Sequence, residues 1–171
     1  MKKRTRAITL AALFSALCVV SLYFASVWPT GQIGIVAFAS LFVAAAVIEA
    51  GPLPGVNVFV VSSVLGMLIL PNKSAQLLYM LFFGYYPIIK YLVERIPRTL
   101  IQWALKILIF NISLTVIWFL IGGIFFSFGE NPPSATIMYL CGNAVFVLFD
   151  YGFSSAIWFY INTVSKNIKK G

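Results

Sequence analysis

The sequence predicts an all-α polytopic membrane protein. Three observations predict it: composition, the lengths of the apolar runs, and where the charges fall. Of 171 residues, 61% are hydrophobic and 9% are charged, against roughly 25% charged in a soluble chain. Water could not solvate such a surface, so hydrocarbon is the matching solvent. The charges sit at the ends of six long apolar stretches, and eleven of the twelve Lys and Arg fall in segments that alternate crossing puts on one face. An excess of basic residues marks the cytoplasmic side. Six transmembrane helices with N and C termini cytoplasmic follow, as a single integral membrane domain over residues 1–171.

The basic start Lys2-Lys3-Arg4-Thr5-Arg6 leads into span one, about residues 7–27. A secretory signal begins in the same way, and Ala25-Ser26-Val27 mimics a cleavage site. However, the apolar run outlasts the ~7–15 residues of a signal core, so an uncleaved helix is expected. Trp28, Pro29, Thr30 and Gly31 end it, with Tyr23 and Trp28 at interfacial level. Span two, about 33–50, is stopped by the uncharged turn Gly51-Pro52-Leu53-Pro54-Gly55. Span three, about 56–70, is short. At ~1.5 Å per residue it barely crosses, so it either starts inside the turn or thins the bilayer locally. Pro71-Asn72-Lys73 closes it.

Span four, about 75–91, runs into the one substantial charged loop, which ends at Arg98. Span five, about 101–126, is long enough to tilt, and Gly129-Glu130-Asn131-Pro132-Pro133 is a polar turn. Span six, about 135–160, precedes the basic tail Lys166, Lys169 and Lys170. The N-terminal arm carries four basic residues, the loop after span four together with Lys106 carries four, and the tail carries three. The opposite face carries only Lys73. A five-span arrangement would send one basic end across, against this bias. The basic clusters are juxtamembrane, so anionic headgroups explain them better than nucleic acid does.

Several chemistries lack their residues. The chain has no histidine, which removes the commonest metal ligand and general base. Cys18 and Cys141 lie at different depths, so neither a disulfide nor a metal site is expected. No Gly-rich phosphate loop is present. The chain is expected not to be an enzyme and to carry no cofactor.

Ionisable residues within spans are functional candidates by default. Glu49 lies at the cytoplasmic end of span two. Asp150 lies roughly 22 Å from the outer end of span six, and Lys106 is at a matching depth in span five. One reading is a proton or cation relay. The other, favoured here, is structural ion pairs in which Glu49 or Asp150 meets Lys106 or Lys90, because the outer half supplies no carboxylate to continue a path.

The outer half instead holds Gln32, Asn72, Thr115 and the candidate substrate-binding residues Gln76, Tyr79, Trp118, Tyr139 and Asn143. Tyr139 and Asn143, four apart, share a helix face. Such amides and aromatics suit a small, mostly uncharged ligand; equally they suit interfacial anchoring and interhelical bonds. Ala12 and Ala16 on span one, like Ala46 and Ala50 on span two, have the spacing that permits close helix approach. That approach is either to a partner or to another span of the same chain.

With its basic N-terminus, six short-looped spans, termini inside, this length and an Ala-x-x-x-Ala on span one, the chain resembles the substrate-binding membrane subunit (S component) of energy-coupling factor, or ECF, transporters. The resemblance covers most of the chain and rests on architecture. It implies a multi-pass protein of a bacterial cell membrane that captures a small-molecule substrate in its outer half. Ala12 and Ala16 would meet a transmembrane coupling subunit, and two cytoplasmic ATPases would drive uptake. A vitamin, a precursor or a modified base is family-typical; a metal ion fits poorly without histidine. No vitamin-specific signature is visible, and span three is shorter than the pattern requires. The rivals are a structural envelope protein similar to rod-shape-determining protein D, a small proton-coupled transporter using Asp150 or Glu49, and a lipid-modifying enzyme.

Overall fold

A computed structural model of the chain describes residues 2–28, 30–125 and 135–165. The expected polar turn at 129–133 and the basic tail lie outside the described residues. Helices account for nearly all of the rest. They are α1 (Lys2–Val27), α2 (Gln32–Ala50), α3 (Pro52–Ile69), α4 (Lys73–Leu78), α5 (Tyr86–Val93), α6 (Thr99–Phe125) and α7 (Ala135–Tyr160). One π-helical turn, Tyr79–Phe83, joins α4 to α5, and another, Ile161–Ser165, follows α7. Among the described residues, Arg4–Val27, Gln32–Ala50, Pro52–Ile69, Thr99–Phe119 and Thr136–Thr163 are long and apolar enough to cross a membrane. Residues 73–93 form a further, broken helical run beside them.

One boundary takes the first of its two expected forms, and one span departs from the sequence expectation. The Gly51–Gly55 segment is not a turn throughout. Helix α3 begins at Pro52, which makes it 18 residues long. A proline in a first turn forfeits no intrahelical bond, and its fixed φ is already helical. The turn itself is Gly51, at φ 98°, a conformation that costs a glycine little. Span four is not one helix either. Gly84 N–H reaches back five residues to the Tyr79 carbonyl at 2.7 Å, and Pro87 sits in the first turn of α5. Proline supplies no N–H to a continuing α-helix, so the run winds wide and restarts.

Helix α2 is the hub. It buries Val36, Ala39, Ser40, Val43, Ala46 and Val47 and packs against α1, α3, α5 and α7. Helix α1 buries Ala11, Phe14, Cys18, Leu22 and Ala25, residues three or four apart as one helical face requires. Gly84 allows the π turn to press onto α3, where an added Cβ would lie 2.6 Å from the Phe59 ring. Helices α6 and α7 join the rest through an aromatic cluster. Phe110 stacks on Phe146 at 4.5 Å, and Phe82 packs edge-on to both.

Polar clasps close one end of the bundle. Asn72 N–H donates to Ser26 Oγ at 2.8 Å, tying α1 to the α3–α4 link. The Asn72 side chain accepts from Ser74 N–H at 2.9 Å as the N-cap of α4, satisfying an orphan donor. Lys73 donates to the Met67 and Leu70 carbonyls at 2.5 and 2.8 Å, a favourable placement of positive charge at the end of α3.

Candidate functional site

The opposite, basic end holds a buried charge network built from three elements. Lys90 on α5 donates to Asp150 Oδ1 at 2.5 Å and lies 2.7 Å from Glu94 Oε1. Lys106 on α6 reaches Glu94 Oε1 at 2.8 Å and Asp150 Oδ2 at 3.1 Å. Tyr86 donates its hydroxyl to Asp150 Oδ1. Two cations and two anions thus alternate around a closed, neutral ring. Lys90, Lys106 and Asp150 are buried while Glu94 is 43% exposed. Burial alone would raise the Glu94 carboxyl, but hydrogen bonds from Lys106 and Lys90 outweigh it and hold the group below its ordinary value. Lys90 and Glu94 are one helical turn apart, and Tyr86 is one turn before Lys90, so one face of α5 presents all three. Asp150 therefore has a donor for each oxygen. A buried ring of this kind locks α5, α6 and α7 together, and removing any single member strands an opposite charge.

Glu49 stands apart from that ring. Both of its carboxylate oxygens are buried without a hydrogen-bond partner among the described residues, and so is the Tyr160 hydroxyl. The expectation that Glu49 belongs to a structural ion pair is corrected accordingly. The turn of α2 that carries Glu49 faces the start of α1, and Arg6 lines the same cavity without bonding to it. The sequence reading missed Glu94 and Tyr86 as members of the ring. The signal for Glu94 was its i,i+4 spacing from Lys90; for Tyr86, the same spacing in the other direction.

Away from the basic end, α2, the π turn, α6 and α7 surround a cavity of about 520 Å³. Its walls include Ile33, Ala37, Phe82, Phe110, Met138 and Phe149, with Gly34, Cys141 and Gly142 among them. The five candidate ligand residues do not gather on it. Gln76 is fully buried and donates to the Ser63 carbonyl at 3.0 Å. Tyr79 is fully buried between Ser62, at 2.7 Å, and the Cys18 thiol, at 3.3 Å. Both therefore face α3 and α1. Tyr139 meets Thr115 at 2.6 Å, and Asn143 exchanges two amide bonds with Asn111 at 3.0 and 3.1 Å, so this pair zips α6 to α7. Trp118 is half-buried, three residues beyond Thr115 on α6. The aromatic lining was not found from the sequence, because helices apolar on every side carry no periodic signal for which face turns inward.

The two small-residue pairs part company. Ala46 is fully buried within the bundle. Ala12 and Ala16 are exposed, on the side of α1 turned away from α2 and α3, with Thr9, Leu13 and Val20 around them. Among the described residues, no group of three Cys, Asp or Glu side chains gathers where a metal ion could be held.

Comparison of the chain with family models, curated proteins and solved structures finds no match in any of the three. The fold and its exposed apolar helices define an all-α, multi-pass membrane protein.

Proposed function

We propose that the chain is the solute-capture subunit of an ECF-type importer, seated in a cell membrane with its basic end in the cytoplasm. The observation that carries the reading is the bare Ala12/Ala16 face. Helix α1 spends its other face on α2 and α3 and leaves these two alanines exposed. A small-x-x-x-small pair with nothing of its own chain against it suits a coupling subunit's helix, since association inside lipid depends on close backbone approach. The 520 Å³ cavity is of ligand size and lies towards the face opposite the basic end. Its apolar and aromatic walls favour an uncharged, largely hydrophobic micronutrient. The neutral ring at Lys90, Glu94, Lys106 and Asp150 supports the same reading, because a subunit that reorients in the bilayer gains from carrying little net buried charge. It also opposes proton coupling at Asp150, whose oxygens are already committed to Tyr86, Lys90 and Lys106.

The test combines two preparations. The wild-type protein, purified gently, should bring a bound small molecule visible by mass spectrometry, together with a membrane subunit and two ATPases. Ala12→Leu with Ala16→Leu should shed those subunits and keep the small molecule. Retention of every protein partner by the double variant, or a purified protein with no bound solute, would favour the envelope-scaffold rival.

A further inference from the structure

Glu49 is the one acidic side chain among the described residues left out of the ion network, and its setting points to a ligand. Among the described residues, both oxygens are buried and unbonded, and so is the Tyr160 hydroxyl. A carboxyl group withdrawn from water without a partner is unfavourable, so the folded protein gains from any group that supplies donors there. Arg6 lines the same cavity of about 330 Å³ from α1, yet no ion pair joins the two. Among the described residues, a cation and an anion thus line one cavity without bonding to each other. Arg6 is in the second turn of α1, Glu49 is the penultimate residue of α2 and Tyr160 is the last of α7. This is the level of lipid headgroups at the basic end.

An apolar groove starts at the same level. Between α2 and α7, a space of about 180 Å³ beside Ile48 and Tyr160 meets another of about 290 Å³ reaching Gly34 and Gly152; the two share Leu41 and Ala156. From Ile48 to Gly34 along α2 is roughly 21 Å at 1.5 Å per residue, more than one leaflet's share of a ~30 Å hydrocarbon core. A Cβ added at Gly34 or Gly152 would touch nothing, so the groove is open rather than closed by packing.

We propose that this groove holds a phospholipid of the cytoplasmic leaflet whose headgroup carries both a phosphate and a primary ammonium. The ammonium donates to Glu49, the phosphate accepts from Arg6, and one acyl chain lies along the α2–α7 seam. A ligand of one sign would answer only one of the two charges. A basic side chain from a partner protein would satisfy Glu49 but leave Arg6 and the groove empty. The inference is independent of the solute-capture reading.

Native mass spectrometry of the full chain, released from bilayers holding equal phosphatidylethanolamine and phosphatidylglycerol, tests it. Wild type should retain phosphatidylethanolamine about fivefold or more over phosphatidylglycerol, the scale of one charge contact at a membrane surface. Glu49→Gln should erase that preference while still carrying lipid. Gly152→Phe, which places a ring in open space on a continuous helix, should lower bound lipid of both kinds. Equal retention of the two lipids by wild type, or a preference that survives Glu49→Gln, would overturn the proposal. So would a co-purifying polypeptide that Glu49→Gln releases with lipid content unchanged.

Discussion

Asp150 and Glu49 are both buried acids at the same end of one helical bundle, and their surroundings are opposite. Asp150 receives Tyr86, Lys90 and Lys106. Among the described residues, nothing donates to Glu49. Asp150 lies ten residues before the end of α7, roughly 15 Å deeper than the level of Tyr160 and Glu49, yet the deeper acid is the one with partners, so depth does not explain the difference. What separates them is what the neighbouring helices bring. Helices α5 and α6 place two lysines towards α7, while α1 turns Arg6 past Glu49 without bonding it. A satisfied acid fastens helices together; the lipid proposal assigns the other a group from outside the chain.

The sharpest way to break that contrast is to remove each acid in turn. Asp150→Asn leaves two buried lysines facing Glu94 alone and should cost about 3–5 kcal/mol of stability, read from denaturant unfolding in detergent. Glu49→Gln in delipidated protein should leave the unfolding midpoint unchanged or slightly raised, because it deletes an uncompensated charge. Equal losses in the two variants would dissolve the distinction. The next effect is smaller. Lys106→Met combined with Asp150→Leu replaces opposite charges with apolar groups, and should recover much of what Asp150→Asn loses, since an ion pair replaced as a unit is often near neutral. Simple addition of the single-variant losses would mean that the ring does not act as a unit.

A polar contact far from the charges gives a reference. Tyr139→Phe removes the bond to Thr115 and should cost about 0.6 kcal/mol, the average for an interhelical side-chain bond in a membrane. The smallest effect concerns pH. The Glu94 carboxyl is lowered in the folded chain by Lys106 and Lys90 against the raising effect of burial. Its stabilisation is therefore complete above the ordinary glutamate range. It fades as pH falls through that range to the lowered folded value. Glu94→Gln should flatten that part of the acid limb of a melting-temperature profile, with the neutral-pH midpoint lower than wild type. An unaltered acid limb would mean that Glu94 is a bystander.

Hydropathy made the long helices legible to within a few residues, because six apolar runs punctuated by Gly, Pro and charge leave little choice of boundary. For α3 the short apolar run left two readings, a start inside the turn or a thinned bilayer, and the helix takes the first, with Pro52 in its first turn. The break in span four had its cause in view at Gly84 and Pro87, but a proline within an apolar run is compatible with either a kink or a restart. Depth counting brought Asp150 and Lys106 to one level. It could not show that Glu94, placed in a loop, folds back onto both lysines. The grouping of Gln76 and Tyr79 with α3, and of Tyr139 and Asn143 with α6, depends on helix rotation, which an all-round apolar sequence does not encode visibly.

The π turn at Tyr79–Phe83 inserts the equivalent of one surplus residue into the winding of the chain. One residue turns an α-helix by about 100°, so everything after Phe83 is rotated by roughly that angle relative to Lys73–Leu78. This offset lets a single short segment present Tyr79 to Ser62 on α3 and, about two and three turns later, Tyr86 and Lys90 to Asp150 on α7. Deleting one residue from the turn would rewind the segment as ordinary helix and swing both of the latter away from the acid. The pairing of this segment with two different neighbours thus hangs on a local miscount in the spiral.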